Sequence, residues 1–284
     1  MHTKIKQGFP VLFLLVFFLY APHITPQVFL ERQFIKADSL FKAEEYFNAV
    51  TEYKRLLFFD SLKVYEYRAD YNIGLSYKAG GRWDDAVFYF SKAMGAAPTD
   101  SDLYNAGMMI VRCNILRRTI PRALELLEEI EKKVISDVQK EEIYYWRGWA
   151  YMFWDRFKEA SASFAKAAGG EELKKLCDTA ESEKYSVTFA KVISYILPGA
   201  GEFYTGNFLS GALSLAWNAF FGYLTVNSFI ENRIFDGIAV GGLLFLRFYR
   251  GNIQNAGNSA IEKNLEITNK TLLFIQNNYK GIKP

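Results

Sequence analysis

Histidine is almost missing from this chain: His2 and His23 are the only two, both ahead of residue 30. Cysteine is equally scarce, with Cys113 and Cys177 far apart in sequence and at no metal-ligand spacing. Without histidine downstream, Ser-His and Cys-His nucleophile pairs lose their base and the common zinc sites lose a ligand. No Gly-x-Ser-x-Gly elbow is present either. The chain therefore reads as a non-enzyme, with no cofactor and no metal. Cys113 falls within an apolar helical pattern, so it reads as a buried small hydrophobe. Runs of basic residues are also missing, and a net charge of +3 excludes a nucleic-acid partner.

Apolar residues, by contrast, make up half the chain, and aromatics reach 17%. They gather near the start and after about residue 186, with a charge-rich stretch between. That distribution predicts a soluble domain flanked by membrane-seeking segments. Lys4 and Lys6 precede an uncharged run from Gly8 to Ile24, centred on Val11 to Leu19. A basic start with an apolar centre of that length reads as a secretory signal or an N-terminal anchor, residues 1–27. Either way, residues from about 30 onward are expected on the exported side.

The central region repeats with a period of 37 residues: Tyr46, Trp83, Ile120 and Phe157 fall in register. Ala49, Ala86, Ala123 and Ala160 follow three residues later, and Tyr53, Phe90, Leu127 and Phe164 four beyond those. Upstream, the register picks out Ala37, Gly74, Val111 and Gly148, then Leu40, Tyr77, Asn114 and Tyr151. The pattern predicts helical hairpins. A small residue lets the first helix approach its partner, and the aromatic three residues later fills the gap. The alanine sits at the helix crossing, and the aromatic at plus four packs on the next hairpin.

This series resembles the tetratricopeptide repeat over residues 31–172. The second unit carries the resemblance best, through Gly74, Tyr77, Gly81, Trp83, Ala86, Phe90, Ala93 and Pro98. The third departs most, with Val111 and Asn114 in place of the small and aromatic residues. The resemblance implies a right-handed superhelix with a groove lined by the first helix of each hairpin. Groove positions would be Phe34, Asp38, Phe41, Arg68, Tyr71, Leu75, Lys78, Met108, Arg112, Tyr145, Trp149 and Met152. Aromatic, Met and cationic side chains together suit a protein or peptide ligand carrying some negative charge.

Residues 173–186 read as a last helix and linker, residues 187–264 as a membrane hairpin, and residues 265–284 as a tail. From Phe203 to Ile230 there are 28 residues without a charge, more than the roughly 20 needed to cross a bilayer. Ser210, Ala212, Ser214, Ala216 and Gly222 offer close helix approach. A second, shorter run from Gly237 to Leu246 would return across the membrane, while Val187 to Leu197 reads as an interfacial or re-entrant helix. Between them lies the phrase Pro198, Gly199, Ala200, Gly201, Glu202, Phe203, Tyr204, Thr205, Gly206. Proline stops one helix, and the glycines allow a tight turn into the next. The phrase resembles one that opens a hairpin in uncharacterised bacterial membrane proteins. Glu202 is expected to pair with Arg247 or Arg250 across the base of that hairpin.

The sequence thus predicts an all-α chain: a tetratricopeptide-like superhelix followed by a transmembrane helical hairpin. The expected function is an adaptor in the bacterial inner membrane, its repeats in the periplasm, with the bilayer and a protein ligand as partners. The competing reading is a small membrane transporter or channel component, a homo-oligomer through the hairpin, with the repeats as a regulatory domain.

Overall fold

The computed structural model describes residues 26–134 and 136–284. The expected export signal therefore lies outside the described residues, apart from Pro26 and Gln27 at the start of the first described helix. Every regular element among the described residues is helical. The chain divides into two compact units, one ending at Val134 and the other continuing to Lys283. That division falls between the third and fourth repeats, whereas the sequence pattern placed the domain boundary after residue 172.

The first unit holds α1 (Pro26–Lys42), α2 (Tyr46–Phe59), α3 (Glu66–Ala79), α4 (Trp83–Gly95), α5 (Asp100–Leu116) and α6 (Ile120–Glu131). Each packs against the next. Ala49, Ala86 and Ala123 are fully buried at the crossings, and so are Tyr53, Phe90 and Leu127. The ring that fills the gap over Gly74 is Phe90 of the partner helix: a Cβ at Gly74 would stand 2.7 Å from Phe90 Cε1. Tyr77, three residues after the glycine, instead stacks on Tyr89 at 5.5 Å and stays half-exposed. Phe90 also reaches the following hairpin, packing with Met109, Ile110 and Cys113.

Helix ends repeat as faithfully as the core. In the first unit Glu44, Gly81 and Arg118 all have φ near +60° to +73°. The next residue donates its N–H back across the turn, Glu45 to Leu40 O, Arg82 to Tyr77 O and Thr119 to Asn114 O, at 2.8–3.0 Å. This is the Schellman closure, which satisfies carbonyls that a helix end leaves open. Glycine occupies that left-handed position only in the second repeat.

The second unit begins with the fourth repeat, α7 (Asp137–Phe153) and α8 (Phe157–Phe164), followed by α9 (Glu171–Glu183). The repeat rules hold: Phe164 Cε1 would stand 2.6 Å from a Cβ at Gly148, Ala160 is fully buried, and Asp155 takes φ +63°. Then come α10 (Val187–Ile196), the short α11 (Ala200–Tyr204), α12 (Phe208–Ile230) and α13 (Ile234–Ala239). A π-helical stretch (Val240–Phe245) leads without a break into α14 (Leu246–Asn278). The expected boundary at residue 264 is therefore the middle of one helix.

α12 runs antiparallel to the segment after it, with Phe229 against Gly237 and Thr225 against Gly241. Farther along, Phe221 and Phe248 stack at 5.0 Å. The close approach uses Gly237 and Gly241, while Ala212 and Ala216 face outward. α14 packs on α9, α10, α11 and α12, and its later residues reach the Asp155 turn of the fourth repeat. Asn264 exchanges hydrogen bonds with the Tyr185 backbone at 2.8 and 3.0 Å, and Thr268 bonds Asp155.

Candidate functional site

In the first three repeats the register positions form a mixed aromatic and cationic set. The Arg68 guanidinium lies 4.3 Å over the Phe34 ring, whose edge meets Tyr53 at 5.8 Å. Such cation–π contacts hold the cation in place without neutralising it. Phe41 packs on Tyr46, and Tyr71 on Phe90 at 5.4 Å. Lys78 and Arg112 come close enough that burial, and then the Arg112 charge, push the Lys78 ammonium below the ordinary lysine range. Cys113, behind them, has its thiol pushed up to about 11 by burial, which leaves it inert. Asp38 is half-exposed and bound to Lys42 at 2.7 Å. Met108, by contrast, is only 3% exposed and serves as core.

The fourth repeat differs more. Tyr145 bonds the Tyr279 hydroxyl at 3.0 Å and the Ile282 carbonyl. Trp149 is buried, its ring 6.3 Å from that of Tyr279. Met152 is fully buried against Cys177. The tail after α14 thus covers the register positions that the sequence assigned to an incoming peptide. Nothing local in residues 265–284 announces this, because the contact joins segments more than 130 residues apart.

The glycine phrase is a backbone crossing. Gly199 has φ +94°, and a Cβ there would lie 2.3 Å from Gly211 O. A Cβ at Gly201 would lie 2.4 Å from Ala190 O and 2.5 Å from Ala256 Cβ. Gly199 N–H donates to Asn252 Oδ1 at 3.1 Å, and Gly201 N–H to Ser194 Oγ at 2.9 Å. Tyr204 packs edge-on against Tyr185 and Phe189, and Gly206 closes α11 at φ +78°. Pro198 precedes the left-handed glycine, where no helix can continue.

The expected pairing of Glu202 with Arg247 or Arg250 is not formed. Glu202 is fully buried, and its Oε1 accepts from the Ser214 hydroxyl at 3.2 Å. The buried face of α14 is set by Asn252, Ile253, Ala256 and Ala260. At 100° per residue, Arg250 and Arg247 point well away from it, and both are exposed. Among the described residues no three His, Cys, Asp or Glu side chains cluster as metal ligands.

The tetratricopeptide repeat family model matches residues 141–169, which are most of α7, α8 and the turn after them. No curated protein matches the chain. A repeat of this family suggests protein–protein interaction, and the all-helical fold of the described residues agrees with the match.

Proposed function

We propose that the chain is a non-enzymatic, membrane-anchored adaptor whose repeats bind an acidic protein segment on the exported side of a bacterial inner membrane. One observation carries the anchoring. α12 is 23 residues long, carries no charge and is buried over only a small part of its surface. Phe208, Leu209, Leu213, Trp217, Phe220 and Tyr223 all face outward. A helix with a broad apolar outer face needs either a protein interior or a bilayer around it, and α12 lacks the first. For the partner, the register positions combine cations with aromatic rings, Arg68 over Phe34 and Lys78 beside Arg112, a set that suits an acidic segment. The exported side rests on the basic-then-apolar N-terminal run.

The test uses a single added thiol. Thr51 is exposed on α2, while Cys113 and Cys177 are buried. Thr51→Cys should react with a membrane-impermeant maleimide in outer-membrane-permeabilised cells. Reaction only after lysis would put the repeats on the cytoplasmic side and end this reading.

A further inference from the structure

The irregular segment after α14 covers a face of the fourth repeat that another element has no need of. α9 already packs along α8 and closes that hairpin, with Leu173, Cys177 and Ala180 buried. Residues 279–284 then follow α14 without regular structure. Their seat is built around one phenol. The Tyr279 ring is 8% exposed and lies 6.3 Å from the Trp149 ring. Its hydroxyl meets that of Tyr145 at 3.0 Å, and Tyr145 donates to the Ile282 carbonyl. The Tyr145 hydroxyl has a single proton, so Tyr279 is the donor between the two phenols. Gly281 closes the loop so tightly that a Cβ there would stand 2.2 Å from Tyr279 Oη. Outside that loop little is buried, since Lys280, Gly281 and Ile282 are all exposed.

The cover is also incomplete. Trp149 is 2% exposed, yet its indole N–H has no acceptor among the described residues. A buried indole nitrogen normally finds a partner, and it can only donate. The loop therefore hides Trp149 without satisfying it. A segment with the same phenol and one further acceptor would complement the face better than the loop does. Burial, the Tyr145 bond and the nearby Glu172 carboxylate all raise the Tyr279 phenol above its ordinary pKa. Glu172 thus disfavours a second carboxylate here, and the acceptor that fits is neutral, a main-chain carbonyl or a side-chain amide. We propose that this face of the fourth repeat binds a tyrosine-bearing segment of a protein partner, and that Tyr279 with the loop after it is the internal competitor which that segment displaces. The proposal rests on the adaptor reading only for there being a partner.

The probe is a fluorescein-labelled peptide with the sequence of residues 278–284, read by polarisation against the full chain in detergent. Wild type should bind it weakly, because the covalently attached copy competes at high effective concentration. Tyr279→Ala in the chain empties the face and should tighten peptide binding by about tenfold or more. Gly281→Val should act in the same direction, since its side chain would unseat the phenol without altering α7. Both variants should keep the helical circular dichroism of wild type. Adding Tyr145→Phe to Tyr279→Ala removes two hydrogen bonds and should weaken binding about tenfold. A peptide carrying Tyr279→Phe should also bind more weakly than the parent peptide. Equal binding by wild type and by whichever variant folds overturns the proposal, and so does no binding by that variant. Unfolding of both variants would make the loop part of the core and overturn it equally. Peptide binding in detergent does not depend on which side of a membrane the repeats face, so this idea and the exported adaptor can fail separately.

Discussion

The repeats and the C-terminal hairpin are both rich in aromatic residues and both rely on glycine, but they use these residues in opposite ways. In the repeats the large rings are inside: Tyr53, Phe90 and Phe164 are essentially unexposed. On α12 the large apolar side chains are outside, while Asn218, Ser228 and Gly211 are buried. Glycine differs in parallel. Gly74 and Gly148 each make room for a ring that can shift, whereas Gly199 and Gly201 each meet backbone oxygen, which cannot. Similar composition thus serves a ring-filled core in one place and a helix with an apolar outer face in the other.

The largest expected effect probes the rigid side of this contrast. Gly201→Val would drive a side chain into Ala190 O and Ala256, and should cost more than about 4 kcal/mol. Limited proteolysis should then open α10 to α12 while sparing the first unit. A stable, protected variant would mean that the crossing is looser than drawn.

Next is the yielding side. Gly148→Val should destabilise by about 1–3 kcal/mol, because Phe164 must move. Adding Phe164→Leu should restore most of this, since the third repeat carries Val111 and Leu127, both buried, at the same two register positions. A double-mutant cycle read by thermal unfolding gives the coupling. Additive losses would mean that pair volume is not what the register preserves.

A smaller effect lies in the turns. Glu44 holds φ +62° where the second repeat has Gly81. Glu44→Gly should stabilise by about 0.5–1 kcal/mol, and Gly81→Ala should destabilise by a similar amount. Urea midpoints check both signs.

The smallest concerns Asp70, fully buried with one oxygen 3.0 Å from Lys92 and the other unpartnered. Burial raises its pKa above the ordinary aspartate value, and Lys92 only partly opposes this. A raised folded pKa means that the native state holds the proton more tightly. The resulting stability is therefore full at low pH and is lost as pH rises through the folded value. Asp70→Asn should flatten that loss in urea titrations between pH 4 and 7.

Much of the repeat architecture was legible in the sequence because it depends on contacts within one hairpin. The period, the crossing alanines and the buried plus-four residues need no distant partner. The ring over Gly74 was misassigned, since Tyr77 and Phe90 are both aromatic and spacing alone does not say which one turns inward. Met108 and Met152 read as groove residues because methionine suits a core as well as a binding surface. Hairpin topology brings the ends that carry Glu202 and Arg247 to one side, but the helix angle between Arg247 and Asn252 turns the arginine away from Glu202. The cover over Tyr145 and Trp149 was invisible, because it depends on where a 33-residue helix ends.

The most direct test is flotation of the full chain with phospholipid vesicles through a density gradient, after an alkaline carbonate wash. With α12 in the bilayer, the chain should float with the vesicles and stay there through the wash. Replacing Leu213 and Phe220 with lysine should release it while the repeats keep their helical signal. A wild-type chain that remains at the bottom of the gradient as a soluble, folded species would contradict the account.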